Sequence, residues 1–144
     1  MSKSQSPITS QIFIKRLVAL CTSGGGRGMP SHPRDLQILL KSMALCFSSS
    51  KNYSEKQVNE RLKVWLREVG QNVEIDHATL RRYLVDAGYL RRDKAGQIYQ
   101  LIEGWKKDLF DPDVELLSPA VLIEEARQKV LARKQAYLEK QNNS

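Results

Sequence analysis

Residues 76–99 decide how this chain is read: Asp76-His-Ala-Thr-Leu-Arg-Arg-Tyr-Leu-Val-Asp-Ala-Gly-Tyr-Leu-Arg-Arg-Asp-Lys-Ala-Gly-Gln-Ile-Tyr99. Asp76 is a residue type whose carboxylate accepts the free N–H groups of a first helical turn, so it is expected to cap a helix that begins at His77. Leu80, Leu84 and Ala87 then recur at helical spacing, with Tyr83 beside them. Gly88 falls just past the end, where left-handed backbone favours glycine. Tyr89–Arg92 and Gln97–Leu101 read as short strands around an Asp93-Lys-Ala-Gly96 turn, with Leu90, Ile98 and Leu101 expected on the buried side. A helix followed at once by a hairpin is a helix with a wing, and two Arg-Arg pairs fall inside it.

Outward from that segment, the chain reads as further helices. Phe13, Leu17, Leu20 and Cys21 place one over Ser10–Thr22, ended by the glycine-rich run 23–28, which we read as a hinge. That run lacks the Lys-Ser/Thr ending and the preceding strand of a phosphate-binding loop. Pro33 and Asp35 open a second helix, expected to reach Phe47, with Leu36, Leu39, Leu40, Met43 and Phe47 facing the core. Ser54 and Gln57 form a capping box ahead of Val58, Leu62, Trp65, Leu66 and Val69. A polar connector with aromatic anchors, Trp105 and Phe110, follows Gly104. Ser118 and Pro119 then start a last helix to about Lys140, on the order of 33 Å long. The expected fold is mainly α with a small β-hairpin. It is divided into an N-terminal helix and hinge (1–32), a winged-helix-like domain (33–103), and a connector with a C-terminal helix (104–144).

Composition narrows the function classes. The 144 residues carry a net charge of +7 and a pI near 9.5, which favour an anionic partner. Cys21 and Cys46 are far apart, with no Cys-x-x-Cys and no ligand histidine nearby, so reduced buried thiols are expected rather than a metal site. No run is long and apolar enough to span a membrane, and the amino terminus lacks a secretory pattern, so a cytoplasmic protein is expected. His32 and His77 have no paired nucleophile, and Glu124 and Glu125 diverge on one helix. No catalytic residue, metal or cofactor is therefore assigned, and the chain is read as a non-enzyme.

Three blocks carry a resemblance: Tyr53-Ser-Glu-Lys-Gln-Val-Asn-Glu-Arg-Leu62, Asp76 through Arg92, and Gly96 with Tyr99. Together they resemble the domain-of-unknown-function 2087 family, an uncharacterised bacterial family also found at the ends of some transcriptional regulators. The resemblance covers about Leu36 to Leu101. It implies a winged-helix-like domain and nucleic-acid binding. The join from Leu66 to Ile75 looks longer than is usual between the two blocks.

With Leu80 and Leu84 inward, a 100° step per residue turns Ala78, Thr79, Arg82, Val85 and Asp86 outward and leaves His77 and Arg81 on the flanks. The expected nucleic-acid contacts are His77, Ala78, Thr79, Arg81 and Arg82 on the helix, with Arg91, Arg92 and Lys94 on the wing. Three alternatives accompany them: Arg82 pairing with Asp86 along the helix, Arg81 bracing an acid elsewhere, and the hairpin arginines keeping exposed strand edges from pairing. The expected function is transcriptional regulation through DNA, with RNA as the other nucleic acid. The expected partner is also a second copy, met through the terminal helices. The alternative is an adaptor that uses the domain as scaffold and the terminal helices as partner surface.

Overall fold

The computed structural model describes residues 6–22, 28–102 and 108–143. Most of the glycine-rich segment expected as a hinge, and the first part of the connector, lie outside these described residues. Among the described residues there are five α-helices: α1 Ser10–Thr22, α2 Pro33–Ala44, α3 Glu55–Glu68, α4 His77–Asp86 and α5 Pro119–Asn142. Two strands, β1 Leu90–Arg92 and β2 Tyr99–Leu101, form an antiparallel hairpin after α4. A short 3-10 helix, Pro112–Leu116, leads into α5. The fold is mainly helical with a small hairpin, a winged-helix-like arrangement.

Local chemistry sets the helix starts. Ser54 Oγ accepts from the Gln57 N–H at 3.1 Å while Gln57 Oε1 accepts from the Ser54 N–H at 2.8 Å, so α3 opens on a reciprocal capping box. Asp76 Oδ1 accepts from the Thr79 N–H at 2.8 Å and opens α4. Gly88 has φ 85°, the left-handed backbone that lets the chain turn sharply from α4 into β1.

One core takes side chains from along the whole chain. Phe13, Leu17 and Cys21 of α1 meet Ile38, Leu39 and Met43 of α2, Leu62 and Trp65 of α3, Leu80 and Leu84 of α4, and Ile123 of α5. Each such aliphatic or aromatic side chain contributes roughly 1.5–3 kcal/mol by leaving water. The one fully buried polar side chain among the described residues, Ser42, accepts from Trp65 Nε1 at 3.0 Å and donates to the Leu39 carbonyl at 2.6 Å. Ile8 and Phe110 form a parallel bridge that ties the amino-terminal segment to the connector.

Two expectations are corrected. The second helix stops at Ala44 rather than Phe47. Beyond it, the Cys46 and Phe47 N–H groups bond to carbonyls only three residues back, which tightens the turn. Arg61 Nη1 occupies the freed Cys46 carbonyl at 2.9 Å, and Phe47 folds edge-on to Tyr53, ring centroids 5.1 Å apart. Ile98 is 43% exposed, not buried, and Tyr99 takes the inner position at 1%. The cause is the turn: Asp93 Oδ1 accepts from both the Gln97 and Ile98 N–H groups, holding them out of the ladder, and alternation then turns Tyr99 inward. Of the aromatic anchors expected in the connector, Phe110 is buried, as is Val114 beyond it, and Trp105 lies outside the described residues.

Candidate nucleic-acid interface

Helix α4 rolls about Leu80 and Leu84, both fully buried, so the opposite side is the one offered to solvent. Ala78, Thr79, Arg82 and Asp86 are exposed there, His77 and Arg81 are half-buried on the flanks, and Val85 packs partly against the core. No ion pair joins Arg82 to Asp86 among the described residues; the four present there involve other groups.

The two arginines of α4 differ in kind. Arg81 donates through Nη1 to Asn59 Oδ1, and its Nη2 lies 3.4 Å from Glu55 Oε1, both partners on α3. Glu55 also accepts from the Tyr99 hydroxyl at 3.3 Å. One carboxylate thus holds α4 and the hairpin against α3. Neither Asn59 nor Glu55 was singled out from the sequence for this place, because both act across more than twenty residues of chain. Arg82 has no acidic partner among the described residues and points outward.

The hairpin splits its own arginine pair by alternation. Arg92 stands opposite Tyr99, and Arg91 stands opposite Gln100 on the other face, where its Nη2 donates to Gln100 Oε1 at 3.0 Å. Gln100 in turn donates to Asn52 Oδ1 at 2.6 Å. Tyr99 and Tyr53 exchange backbone hydrogen bonds of 2.7 and 2.8 Å, so the loop before α3 covers the second edge of β2. Lys94 sits at the tip, next to Asp93 and two residues before Gly96, whose φ is 70°.

These placements bring α4 and the wing around one cleft of about 390 Å³, lined by Ala78, Arg81, Arg82, Val85, Asp86, Arg92 and Tyr99. Arg82 and Arg92 flank it from the two elements, and Arg81 lies behind them, held by α3. Of the expected contact residues, Ala78, Arg81, Arg82 and Arg92 share the cleft. His77 and Thr79 lie at the start of α4, Lys94 at the tip, and Arg91 on the reverse face. Val85, Asp86 and Tyr99 also line the cleft and were not among the residues expected to make contact.

Two carboxylates anchor the frame. Asp76 is held below the usual carboxylate range, chiefly by the Thr79 N–H. Asp93 is held below it by the Gln97 N–H first and then by that of Ile98. Burial pushes the Cys21 thiol up to about 12 and the Cys46 thiol up to about 11, so neither is a nucleophile at neutral pH. Among the described residues no cluster of His, Cys, Asp and Glu has the makings of a metal site, and no helix is long and apolar enough to cross a membrane.

A helix and the hairpin after it, closing on an arginine-flanked cleft within a basic chain, define a small helical domain of winged-helix-like build. The chain belongs to the bacterial family described as "Uncharacterized protein conserved in bacteria (DUF2087)", whose profile matches residues 27–101. That span runs from just before α2 through β2 and leaves α1 and α5 outside. Neither the curated proteins nor the solved structures gave a match.

Proposed function

We propose that this protein binds nucleic acid, DNA in the first instance, through the front of α4 and the wing, and acts in transcriptional regulation. The observation that carries this reading is the cleft, where Arg82 and Arg92 come from different elements and neither has an acidic partner among the described residues. A guanidinium placed this way matches phosphate oxygens bidentately. Ala78 and Thr79 at the front of α4 are small enough for close approach to base edges. Val85 and Asp86 limit the contact to the front of the helix, since neither suits phosphate. A cytoplasmic setting fits two unpaired cysteines.

The test is a titration of the full chain against mixed-sequence duplex DNA and structured RNA at several salt concentrations. If Arg82, Arg92 and Lys94 each meet one phosphate, log K falls against log salt with a slope of about −2.7, roughly a 40-fold loss from 50 to 200 mM. In Arg82→Ala with Arg92→Ala, one contact remains, and the loss shrinks to about 3.5-fold. No binding at 50 mM salt, or an unchanged slope in the double variant, overturns the reading. Tighter binding to RNA than to DNA would move the assignment to RNA.

The adaptor reading draws on a different observation, the bare outer half of α5. It predicts no nucleic-acid binding at low salt and a partner protein lost when residues 128–144 are removed.

A further inference from the structure

Helix α5 divides at about Arg127. Its first half is built into the fold, with Ile123 fully buried in the common core. From Gln128 to Asn143 every residue is exposed, about 24 Å of helix standing clear of its own chain. The charges divide at the same place. The acids of the root lie beside α3: Glu124 accepts from Gln128 Nε2 at 2.9 Å, and with Glu125 it lines a cavity shared with Arg67 and Arg127. Lys56 and Arg61 also stand on α3 near the root, with Glu60 and Glu68 among them. Residues 128–143, by contrast, carry Lys129, Arg133, Lys134 and Lys140 against Glu139 alone, a net +3 of the chain's +7. The free end of one helix thus holds almost half of the net charge.

Three of these four cations form a line. At 100° per residue Lys129, Arg133 and Lys140 fall within about 40° of one another, at intervals of about 6 and 10.5 Å along the axis. None of them lies within ion-pair distance of a carboxylate among the described residues. Glu125, one turn before Lys129, bounds the line at its root, and Glu139 is turned about 100° from its neighbour Lys140. The spacing selects the partner. A single small anion reaches one or two of these cations, whereas a chain of anions at fixed intervals reaches all three at once. Duplex DNA carries one charge per roughly 1.7 Å of axis, so about ten phosphate charges lie alongside the roughly 16.5 Å from Lys129 to Lys140. A lipid surface fits less well. Val130, Leu131, Tyr137 and Leu138 occupy the neighbouring face, but Lys134 stands at its centre and Gln141 at its end, so no continuous apolar face is offered to a bilayer.

We propose that the outer half of α5 is a second contact for nucleic acid, an arm whose Lys129, Arg133 and Lys140 each meet one phosphate of the backbone. This rests on the nucleic-acid reading for the identity of the polyanion, and on none of the residues of the α4 cleft. Contacts of this kind hold and orient without reading sequence. The arm therefore adds affinity and salt dependence, while choice of sequence stays with the front of α4.

Salt titrations of the full chain against mixed-sequence duplex DNA, followed by fluorescence anisotropy, test the arm. The cleft and wing alone give a slope of about −2.7, and three further phosphate contacts steepen it to about −5.4. The triple variant Lys129→Gln, Arg133→Gln, Lys140→Gln is expected to return to about −2.7, cutting the loss from 50 to 200 mM from roughly 1,800-fold to roughly 40-fold. Its helix content and melting temperature are expected unchanged, because the three side chains are exposed and glutamine forms helix about as well as lysine. Lys129→Arg with Lys140→Arg is expected to keep the wild-type slope. With the arm engaged, Arg82→Ala with Arg92→Ala is expected at about −3.6. If the triple variant keeps the wild-type slope while the variant at Arg82 and Arg92 falls, the arm is overturned and the cleft stands. If the triple variant falls while the other keeps the wild-type slope, the arm stands and the cleft is overturned. Binding to mixed phosphatidylcholine and phosphatidylserine vesicles, with none to DNA or RNA at low salt, overturns the proposal in favour of a lipid surface.

Discussion

The two arginines at positions 81 and 82 are adjacent in sequence and opposite in expected consequence. Replacing Arg81 by Ala removes the hydrogen bond to Asn59 and the ion pair to Glu55. The hydrogen bond is worth about 0.5–1.5 kcal/mol. The ion pair, with the Glu55 side chain 51% exposed, is screened to about 0.2–1 kcal/mol. Together they give a loss of about 1–2 kcal/mol, or about 3–6 °C in melting temperature for a chain of this size. Asn59 and Glu55 can turn to water afterwards, so no orphaned polar group adds to the cost. Replacing Arg82 by Ala breaks no contact among the described residues and should leave stability within about 0.5 kcal/mol. Its effect should fall on nucleic-acid binding, lowering the salt slope by about 1. Thermal melts followed by circular dichroism, paired with salt titrations of the same two variants, measure both quantities. If Arg81→Ala melts like the wild type while lowering the slope as much as Arg82→Ala does, the division into brace and contact is wrong.

Further outcomes follow from packing and titration. A Cβ at Gly70 would lie 2.3 Å from Cζ3 of the Trp65 ring, which Ser42 holds by its indole N–H, so Gly70→Ala should cost about 2–3 kcal/mol by overpacking; a denaturant midpoint equal to the wild type's would show the ring free to shift. Asp76 and Asp93 have depressed pKa values in the fold, so the stability they add is complete above the ordinary Asp value of about 3.9 and is lost as pH falls through their lower folded values. Melts between pH 2 and 6 should therefore decline at the acid end, and less steeply in Asp76→Ala with Asp93→Ala. The buried thiols act in the opposite direction: with Cys21 raised to about 12 and Cys46 to about 11 from 9.0, stability is complete below pH 9 and falls as pH rises toward those values. At pH 8 the buried Cys21 thiol should react with a disulfide reagent far more slowly in the folded chain than in denaturant, and the half-buried Cys46 thiol less so; equal rates at Cys21 would contradict its burial.

Much of the architecture is legible in local signals. Ser54 with Gln57, Asp76 and the Ser118-Pro119 pair start their helices where their chemistry requires, and Gly88 ends the turn after α4. The helix face at Leu80 and Leu84 also follows from spacing. The failures have a shared cause. Phe47 leaves its helix because Arg61 and Tyr53, from the next helix and the loop before it, offer it a better place. Ile98 is exposed because the Asp93 side chain claims two N–H groups that strand pairing would otherwise use. Neither competitor shows in a hydrophobic period. The same holds for the cleft: the periodicity of α4 turns Arg82 outward, but only contacts between elements reveal that Glu55 and Asn59 hold Arg81.

The cleft arises where two periodicities meet. On α4 a 100° step separates Arg81 from Arg82, so the fold can keep one against α3 and send the other out. On β1 a 180° step separates Arg91 from Arg92, so one faces Gln100 and the other lies on the face of Tyr99. Each Arg-Arg pair therefore supplies one guanidinium to the cleft's open side and commits the other elsewhere. The Gly88 turn, with its left-handed backbone, brings those two chosen members together. Glu55 then fixes the spacing between them, because it holds both Arg81 of the helix and Tyr99 of the wing. The surface thus depends on a brace that touches no ligand in the proposed binding mode. Loosening it should widen the cleft without removing either open arginine.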